Sequence, residues 1–447
     1  MIQKQLNTTE KLAIDAYIYG FPLLFNLEQM KRYVEEGIGA NLAAPFNHFS
    51  HAKTLATPDD TFVTINNDTI YSMAQLDLSV GPIVLHVPDV GDRYYVLQFV
   101  DAWTNNFAYV GKRGTGTKAG DFYLTPPGWS GTVPENMKQI KVPTRLASIV
   151  GRWVCDGEAD IPNVSALQDL TTLTVVNADV APLGFPEVIE TIPEEIQFYE
   201  KLRVAMHDLV PSQQDVKLQH TFLPLGLAEG EKSPLLHLEK DVYNALKNGQ
   251  VMGLATIKKT LLSGVADSEN GWRLTFHSFD YNADFFEVGT INSPEWIIAD
   301  RKVAIVERAI AAMGGLWGNH GYEAAYVATW TDADEKTLNG ANDYTLTLNP
   351  VPPVDAFWSI TMYDAPDFYL VDNPIQRYSI GDRTPGIQYE EDGSLTIYMS
   401  VEEPKDPKKR ANWLPTPAGD FRPVMRMYQP DKSVIAREYH FPAIKKV

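Results

Sequence analysis

Between Thr69 and Leu78 the chain alternates with period two. Ile70, Ser72, Ala74, Leu76 and Leu78 share one face, and Thr69, Tyr71, Met73, Gln75 and Asp77 the other. That pattern predicts a β-strand. Two nearby runs, Ile83–Val87 and Tyr94–Val100, are almost continuously apolar, as in strands covered on both faces. Turn signals punctuate the region from about residue 60 to 176: Gly81-Pro82, Gly114-Thr115-Gly116, Pro126-Pro127-Gly128 and Ser130-Gly131. Gly114-Thr115-Gly116 fits no phosphate-binding fingerprint and reads as a hairpin turn.

Helical periodicity surrounds this region. Thr9–Tyr19 predicts an amphipathic helix ended by Gly20-Phe21-Pro22, and a second segment runs from Pro22 toward Tyr33 and stops near Gly37. Thr191-Ile192-Pro193-Glu194 has the form of a capping box and precedes the stripe Ile196, Tyr199, Leu202, Met206 and Leu209. Ser233-Pro234 predicts the next helix start and Asn248-Gly249 its end. Ser293-Pro294 begins a third helix, with Trp296, Ala299, Val303, Val306, Ile310 and Met313 as its apolar stripe and Gly314-Gly315 as its stop. From about Gly318 the β pattern returns. Tyr344, Leu346 and Leu348 alternate, Phe357–Tyr363 is an apolar strand, and Asp392-Gly393 is a hairpin signal feeding Leu395–Met399.

The two β regions share a unit: Asp92–Ala102 can be laid against Asp355–Ala365, each running from a Val-Pro or Pro-Val turn through paired aromatics and apolar residues to Asp-Ala. The expected fold class is therefore α+β, mainly β with a helical insert. It comprises two jelly-roll-like antiparallel β-sandwich domains, an N-terminal helical segment and a central helical region. The expected division is 1–59 helical, 60–180 first β-domain, 181–317 central helical region and 318–447 second β-domain.

Composition adds limits. At 447 residues and 44% hydrophobic, the chain is too long for one ordinary domain. A net charge of −19 opposes nucleic acid and anionic membrane as partners, and the basic run Lys405–Arg410 reads as a solvated loop. The lone Cys155, beside Arg152-Trp153-Val154, reads as a buried structural thiol. No apolar run reaches the ~18 residues of a membrane helix, so no membrane insertion is expected. Met1–Asn7 shows no signal-peptide pattern. Cytoplasmic is the expectation as given, with periplasmic or secreted if a leader has been removed.

Two polar clusters carry candidate chemistry. The first is Asn66, Asn67, Asp68, Tyr71, Asp101, Asn105, Asn106 and Arg113. Carboxamides, a phenol and carboxylates at strand ends suit hydrogen bonding to a polyol or amide, and Asp68 with Asp101 is the candidate acid–base pair. The competing reading is a turn whose Asn and Asp side chains bond their own backbone. The second cluster holds Asn373, Arg377, Asp382 and Arg383, whose charges suit orienting a carboxylate, sulfate or phosphate, or else pair with one another to pin a loop. Trp413 offers an aromatic platform for a sugar, or packs inside. His48, His51 and His320 are the candidates for a metal-dependent reading. No familiar ligand spacing accompanies them, so no metal or other cofactor is expected. Gly-x-Ser-x-Gly, His-Glu-x-x-His and Cys-x-x-Cys are absent, which disfavours a serine triad or a zincin.

The chain resembles a bacterial family defined by paired domains of unknown function numbered 1254 and 1214. The N-terminal resemblance lies in Asn66–Ser72, Val87–Val90, Asp92–Tyr95 and Thr104–Tyr109. The C-terminal one lies in Pro353–Ser359, Asp372–Pro374, Arg377–Thr384 and Asn412–Pro415. It implies two jelly-roll-like domains with a helical portion, a homo-oligomer, and export in many relatives. It also implies a likeness to the double jelly rolls of peptide N-glycanase type, which is fold analogy alone. The functional expectation is a hydrolase acting on a glycosidic or amide bond of a small-molecule or glycan substrate. A non-catalytic glycan-binding or assembly protein is the alternative, and a metal-dependent enzyme the second.

Overall fold

A computed structural model describes residues 6–60, 64–188, 191–210, 212–228, 230, 232–263 and 266–447. The N-terminal reading of Met1–Asn7 falls largely outside them. The helices used below are α1 (Thr8–Glu35), α2 (Ile161–Leu170), α3 (Gln197–Asp208), α4 (Gln213–Thr221), α5 (Lys240–Ser263) and α6 (Arg301–Gly315). After a small two-stranded sheet of Gly37–Ile38 and Asn41–Leu42, the first nine strands used below are β1 (Phe49–His51), β2 (Thr69–Asp77), β3 (Ile83–Val87), β4 (Tyr95–Asp101), β5 (Asn106–Gly111), β6 (Gly120–Thr125), β7 (Lys138–Lys141), β8 (Leu146–Val154) and β9 (Thr172–Val175). The second nine are β10 (Trp272–Leu274), β11 (Ala324–Thr329), β12 (Tyr344–Leu348), β13 (Val354–Asp364), β14 (Ser379–Gly381), β15 (Leu395–Ser400), β16 (Trp413–Pro415), β17 (Phe421–Pro430) and β18 (Lys445–Lys446).

These strands build the same object twice. The first set forms sheets of order β1-β2-β8-β4-β5 and β9-β3-β6-β7. The second set forms β10-β11-β17-β13-β14, extended at its edge by Ser268–Glu269, and β18-β12-β15-β16. Even the parallel pairs correspond: β6 with β7 and β15 with β16, against antiparallel pairing elsewhere. Register fixes the equivalence residue by residue. Thr69 and Arg152 pair with Val154 and Tyr71 as Ala324 and Arg426 pair with Tyr428 and Tyr326. Val96 meets Gly111 as Ser359 meets Gly381. The alignment of Asp92–Ala102 with Asp355–Ala365 follows this register. The architecture is α+β, mainly β with helical parts.

Each sandwich has its own core. Ile70, Leu76, Leu85, Leu97, Phe99 and Ile149 fill the first, and Leu346, Trp358, Ile360, Ile397, Met425 and Met427 the second. β4 and β8 are buried along their whole length because both faces are covered. β3 differs from its reading, since Val84 and His86 are only half-buried. The Gly114 turn joins β5 to β6 in the other sheet, and the Asp392-Gly393 turn likewise follows a strand of the other sheet, so neither closes a hairpin.

The helical readings need more correction. α1 is one helix through Gly20 and Pro22, begun by a reciprocal cap between Asn7 and Glu10. Proline removes one helical hydrogen bond, but Ala13, Ala16, Tyr17, Leu23, Leu27 and Met30 bury against the other helices and the first sandwich, and that packing outweighs the lost bond. α5 likewise runs through Asn248-Gly249. A Cβ on Gly249 would lie 2.7 Å from the Ala13 Cβ, and one on Gly253 2.5 Å from the Tyr17 ring, so these glycines let α1 and α5 approach. No capping box forms at Thr191, since the turn there opens at Pro193 with no side-chain cap. Ser233 caps only the short turn Pro234–His237. Pro294–Trp296 is another short turn, and α6 starts later on the Asp300 carboxylate, which accepts from Lys302 N and Val303 N. Its buried face is Ala304, Arg308, Ala309, Ala311 and Ala312, while Val303 is 47% exposed.

Candidate functional site

The two large sheets meet through the faces turned away from their own cores. Along β4 the inward residues are Tyr95, Leu97 and Phe99, leaving Val96 and Gln98 on the outer face. Along β13, Trp358, Ile360 and Met362 point inward, leaving Phe357, Ser359 and Thr361 outside. The outer faces form a seam that is polar yet almost wholly buried.

Asp68 sits in this seam, 4% exposed, at the residue before β2. Its Oδ2 accepts from Ser359 Oγ at 2.7 Å and from the Tyr428 hydroxyl at 3.1 Å, both from the second sandwich. Tyr428 stacks on Phe357, with ring centroids 4.1 Å apart. Asn66 shapes the approach: its Oδ1 accepts from Asp68 N, Thr69 N and Thr69 Oγ1, and its Nδ2 donates to the Tyr71 hydroxyl at 2.5 Å. Asn67 Nδ2 donates to the Ala56 carbonyl. The turn reading of Asn66 is thus realised alongside its place in the seam.

The second repeat answers in kind. Glu323, 1% exposed and one residue before β11, accepts from the Tyr94 hydroxyl at 3.0 Å and from Arg113 Nε at 2.5 Å. Arg113 also lies over the Tyr322 ring, 4.6 Å from its centroid. Beside it His320 Nδ1 meets the Tyr109 and Tyr322 hydroxyls at 2.9 and 3.0 Å. Burial, with Arg113 nearby, lowers the His320 pKa to about 3. Two equivalent arginines run through the centre of the seam. Arg152 Nη1 donates to Gln98 Oε1 at 2.7 Å, and Arg426 Nη1 donates to Thr361 Oγ1 at 2.9 Å.

Asp101 does not join this cluster. On β8, Thr69 pairs with Val154 and Asp101 with Ala147, so strand rise alone separates the two aspartates by about 23 Å. They cannot act as a carboxylate pair. Asp101 instead closes the β4–β5 turn, with its oxygens accepting from Asn105 N and Nδ2 at 2.8 and 2.9 Å. Burial raises its pKa to about 6. Asn105 Oδ1 accepts from Arg308, and Asn106 bridges Gln98 and the Gly318 carbonyl.

The second predicted cluster also divides. Asn373 holds its own loop through the Val371 and Arg377 carbonyls and Arg377 N. Arg377 Nη1 donates to the Ala411 and Trp413 carbonyls, and Asp382 accepts from Trp358 N. Trp413 is 2% exposed with its indole N–H on the Ser400 carbonyl, so it is a core side chain and no sugar platform. Arg383 alone reaches the seam. It pairs with Asp156 at 2.6 Å, donates to the Asp68 carbonyl at 3.3 Å and lies over the Phe357 ring at 4.2 Å.

At this edge the seam opens into a cleft of about 420 Å³, lined by Arg93, Tyr94, Lys112, Asp156, Phe357 and Arg383 among others. Arg93 is committed to Asp160 through two contacts of 2.6 and 2.8 Å. Burial acts against the Asp160 charge, but Arg93 and the Asp156 N–H hold its pKa down to about 2. Cys155, just below, is buried with its thiol pushed up to about 11 by that burial. The remaining histidines stay apart: His48 Nδ1 meets the Phe46 carbonyl and His51 Nδ1 the Ser72 hydroxyl. Among the described residues no three His, Cys, Asp or Glu side chains converge as a metal site, and no helix is long and apolar enough to cross a membrane.

Sequence reasoning missed Glu323, Ser359, Tyr428 and Arg426. A signal existed for the last: a charged residue in the apolar run Val424-Met425-Arg426-Met427-Tyr428, as Arg152 is in Ile149–Val154.

Fold and site together define a tandem β-sandwich protein with a buried polar seam between its repeats. Residues 46–175 match the family described as Protein of unknown function (DUF1254), and residues 323–432 match DUF1214, described in the same terms. The chain belongs to the family that pairs these two domains. The crystal structure of the VPA0106 protein from Vibrio parahaemolyticus is 25% identical, with a TM-score of 0.71 over 98% of this chain and 100% of that one. An uncharacterized protein from Burkholderia cenocepacia is 12% identical, with a TM-score of 0.46 over 98% of this chain and 94% of its own. Among curated proteins none matches.

Proposed function

We propose that the protein is a hydrolase that acts on a glycosidic or amide bond of a polar small molecule or glycan held at the seam cleft, with Asp68 as the proton-transferring group. One observation carries the reading. Asp68 receives two hydroxyl donors, Ser359 and Tyr428, directly behind Phe357 and Arg383, which line the cleft. A carboxylate so held is fixed in position for general acid–base work. Tyr71 and Asn66, hydrogen-bonded to each other beside it, fix the neighbouring polar surface. Asp101, about 23 Å away by strand rise, has no part in the step.

The test is mass spectrometry of N-glycoproteins and simple glycosides after incubation with wild type and Asp68→Asn. Released glycan with Asn converted to Asp supports amide cleavage, and a cut glycoside with Asn intact supports glycosidic cleavage. Either product should fall at least ~100-fold in the variant. Equal turnover in a folded Asp68→Asn protein removes the role of Asp68, and no product from either panel removes the hydrolase reading.

A second reading, binding without turnover, is favoured by the saturation of the seam, where Asp68, Glu323, Arg152 and Arg426 all have protein partners. It expects saturable ligand binding with no product from the same panels.

A further inference from the structure

We propose that the cleft anchors an anionic group of its ligand, a carboxylate or phosphate, between Arg383 and Lys112. This rests on the functional reading above and narrows its substrate to acidic molecules.

The cleft is lined from equivalent positions of both repeats, Arg93-Tyr94 from the first and Ala356-Phe357 from the second. Equivalence extends to Lys112 and Asp382, each the residue after a paired glycine, Gly111 or Gly381. Where the second repeat places Ala356 and Asp382, the first places Arg93 and Lys112. With Arg383, this departure from symmetry sets three cations against the two carboxylates, Asp92 and Asp156, that also line the cleft, in a chain whose net charge is −19.

The three cations differ in how firmly they are held. Arg93 is gripped by Asp160, whose side chain is 12% exposed. Arg383 pairs with Asp156, whose side chain is 62% exposed, so solvent screens that pair and a ligand anion can take the place of Asp156. Lys112 Nζ donates to the Asp92 carbonyl at 3.1 Å and meets no carboxylate among the described residues. Arg383 offers a planar fork and Lys112 a mobile point charge, a combination suited to an oxyanion. The volume of about 420 Å³ lies in the range of small-ligand sites.

The experiment is isothermal titration of the full chain with succinate, sulfate and inorganic phosphate at constant ionic strength. Saturable binding of at least one probe is expected. It should weaken at least ~10-fold in Lys112→Gln/Arg383→Gln and stay unchanged in Lys408→Gln/Lys409→Gln, which removes as much charge from residues outside the cleft lining. No saturable binding of any probe, or equal loss in both double variants, overturns the proposal. Arg383 bridges the repeats, so if its variant fails to fold, Lys112→Gln alone must weaken binding at least ~3-fold, and unchanged affinity there overturns the proposal. Anion binding by a wild type that cleaves nothing keeps the anion site and removes the hydrolase reading. Cleavage of neutral glycosides without anion binding does the reverse.

Discussion

Asp68 and Glu323 hold equivalent places in the two repeats, each one residue before the first shared strand, and each receives a tyrosine hydroxyl from the opposite sandwich. The two tyrosines, Tyr428 and Tyr94, meet edge to face with centroids 5.6 Å apart. The repeats are thus joined by a crossed pair of tyrosine–carboxylate contacts inside a layer that water barely reaches. Removing either hydroxyl leaves a buried carboxylate short of a donor. Tyr428→Phe and Tyr94→Phe are each predicted to lower stability by about 1–3 kcal/mol. The urea midpoint measures this, and an unchanged midpoint in both variants would show that the contacts do not hold the repeats together.

Asp101 makes a prediction about pH. Burial raises its folded pKa to about 6, against about 4 in an unfolded chain. Between those values the folded protein keeps a proton that the unfolded chain has lost. Its contribution therefore favours folding most below about pH 4 and declines as pH rises toward 6. In Asp101→Asn that component of the slope should vanish, as read from denaturation midpoints at several pH values. The same slope in both proteins would refute the assignment.

The approach of α5 to α1 predicts an asymmetry between two glycines. Gly249→Ala forces a methyl against Ala13 and the Tyr199 hydroxyl and should cost about 1–3 kcal/mol. Gly315→Ala, with nothing within 4 Å of the new carbon, should be close to neutral. Thermal melts of the two variants compare them directly, and equal melting temperatures would contradict the close packing.

His320 should remain neutral between pH 5 and 8, since burial, with Arg113 beside it, holds its pKa near 3. Nitrogen-15 shifts of its ring should be flat across that range. A titration near pH 6.5 would mean that the Tyr109–His320–Tyr322 contacts open to solvent.

The strands were legible because alternation and continuous apolar runs follow from burial, and burial dominates the energy of a strand. Thr69–Asp77 and Val354–Asp364 are cases in point. The repeat was legible for the same reason, since equal register demands equal side-chain order in Asp92–Ala102 and Asp355–Ala365. Helix ends were read less well. Pro22, Gly20 and Gly249 are local stop signals, yet each lies within a continuous helix because tertiary packing rewards the close approach more than local preference penalises it.

The site was legible in composition but not in assembly. Polar residues at strand ends singled out Asp68, Asn66, Tyr71 and Arg113 in one cluster and Arg383 in another, and it is the tertiary structure that brings the five into one seam. Asp101 belongs to the opposite end of the sheet, a distinction that strand direction makes and residue type does not. By itself the sequence determined the α+β class, the unit repeated in Asp92–Ala102 and Asp355–Ala365, and the family, because period, turn chemistry and motif order are local properties of the chain. Only the tertiary structure decided that Ser359 and Tyr428, 291 and 360 residues from Asp68 along the chain, complete its hydrogen bonds. Such partners are chosen by how two sheets stack, and stacking leaves no periodic trace in either strand.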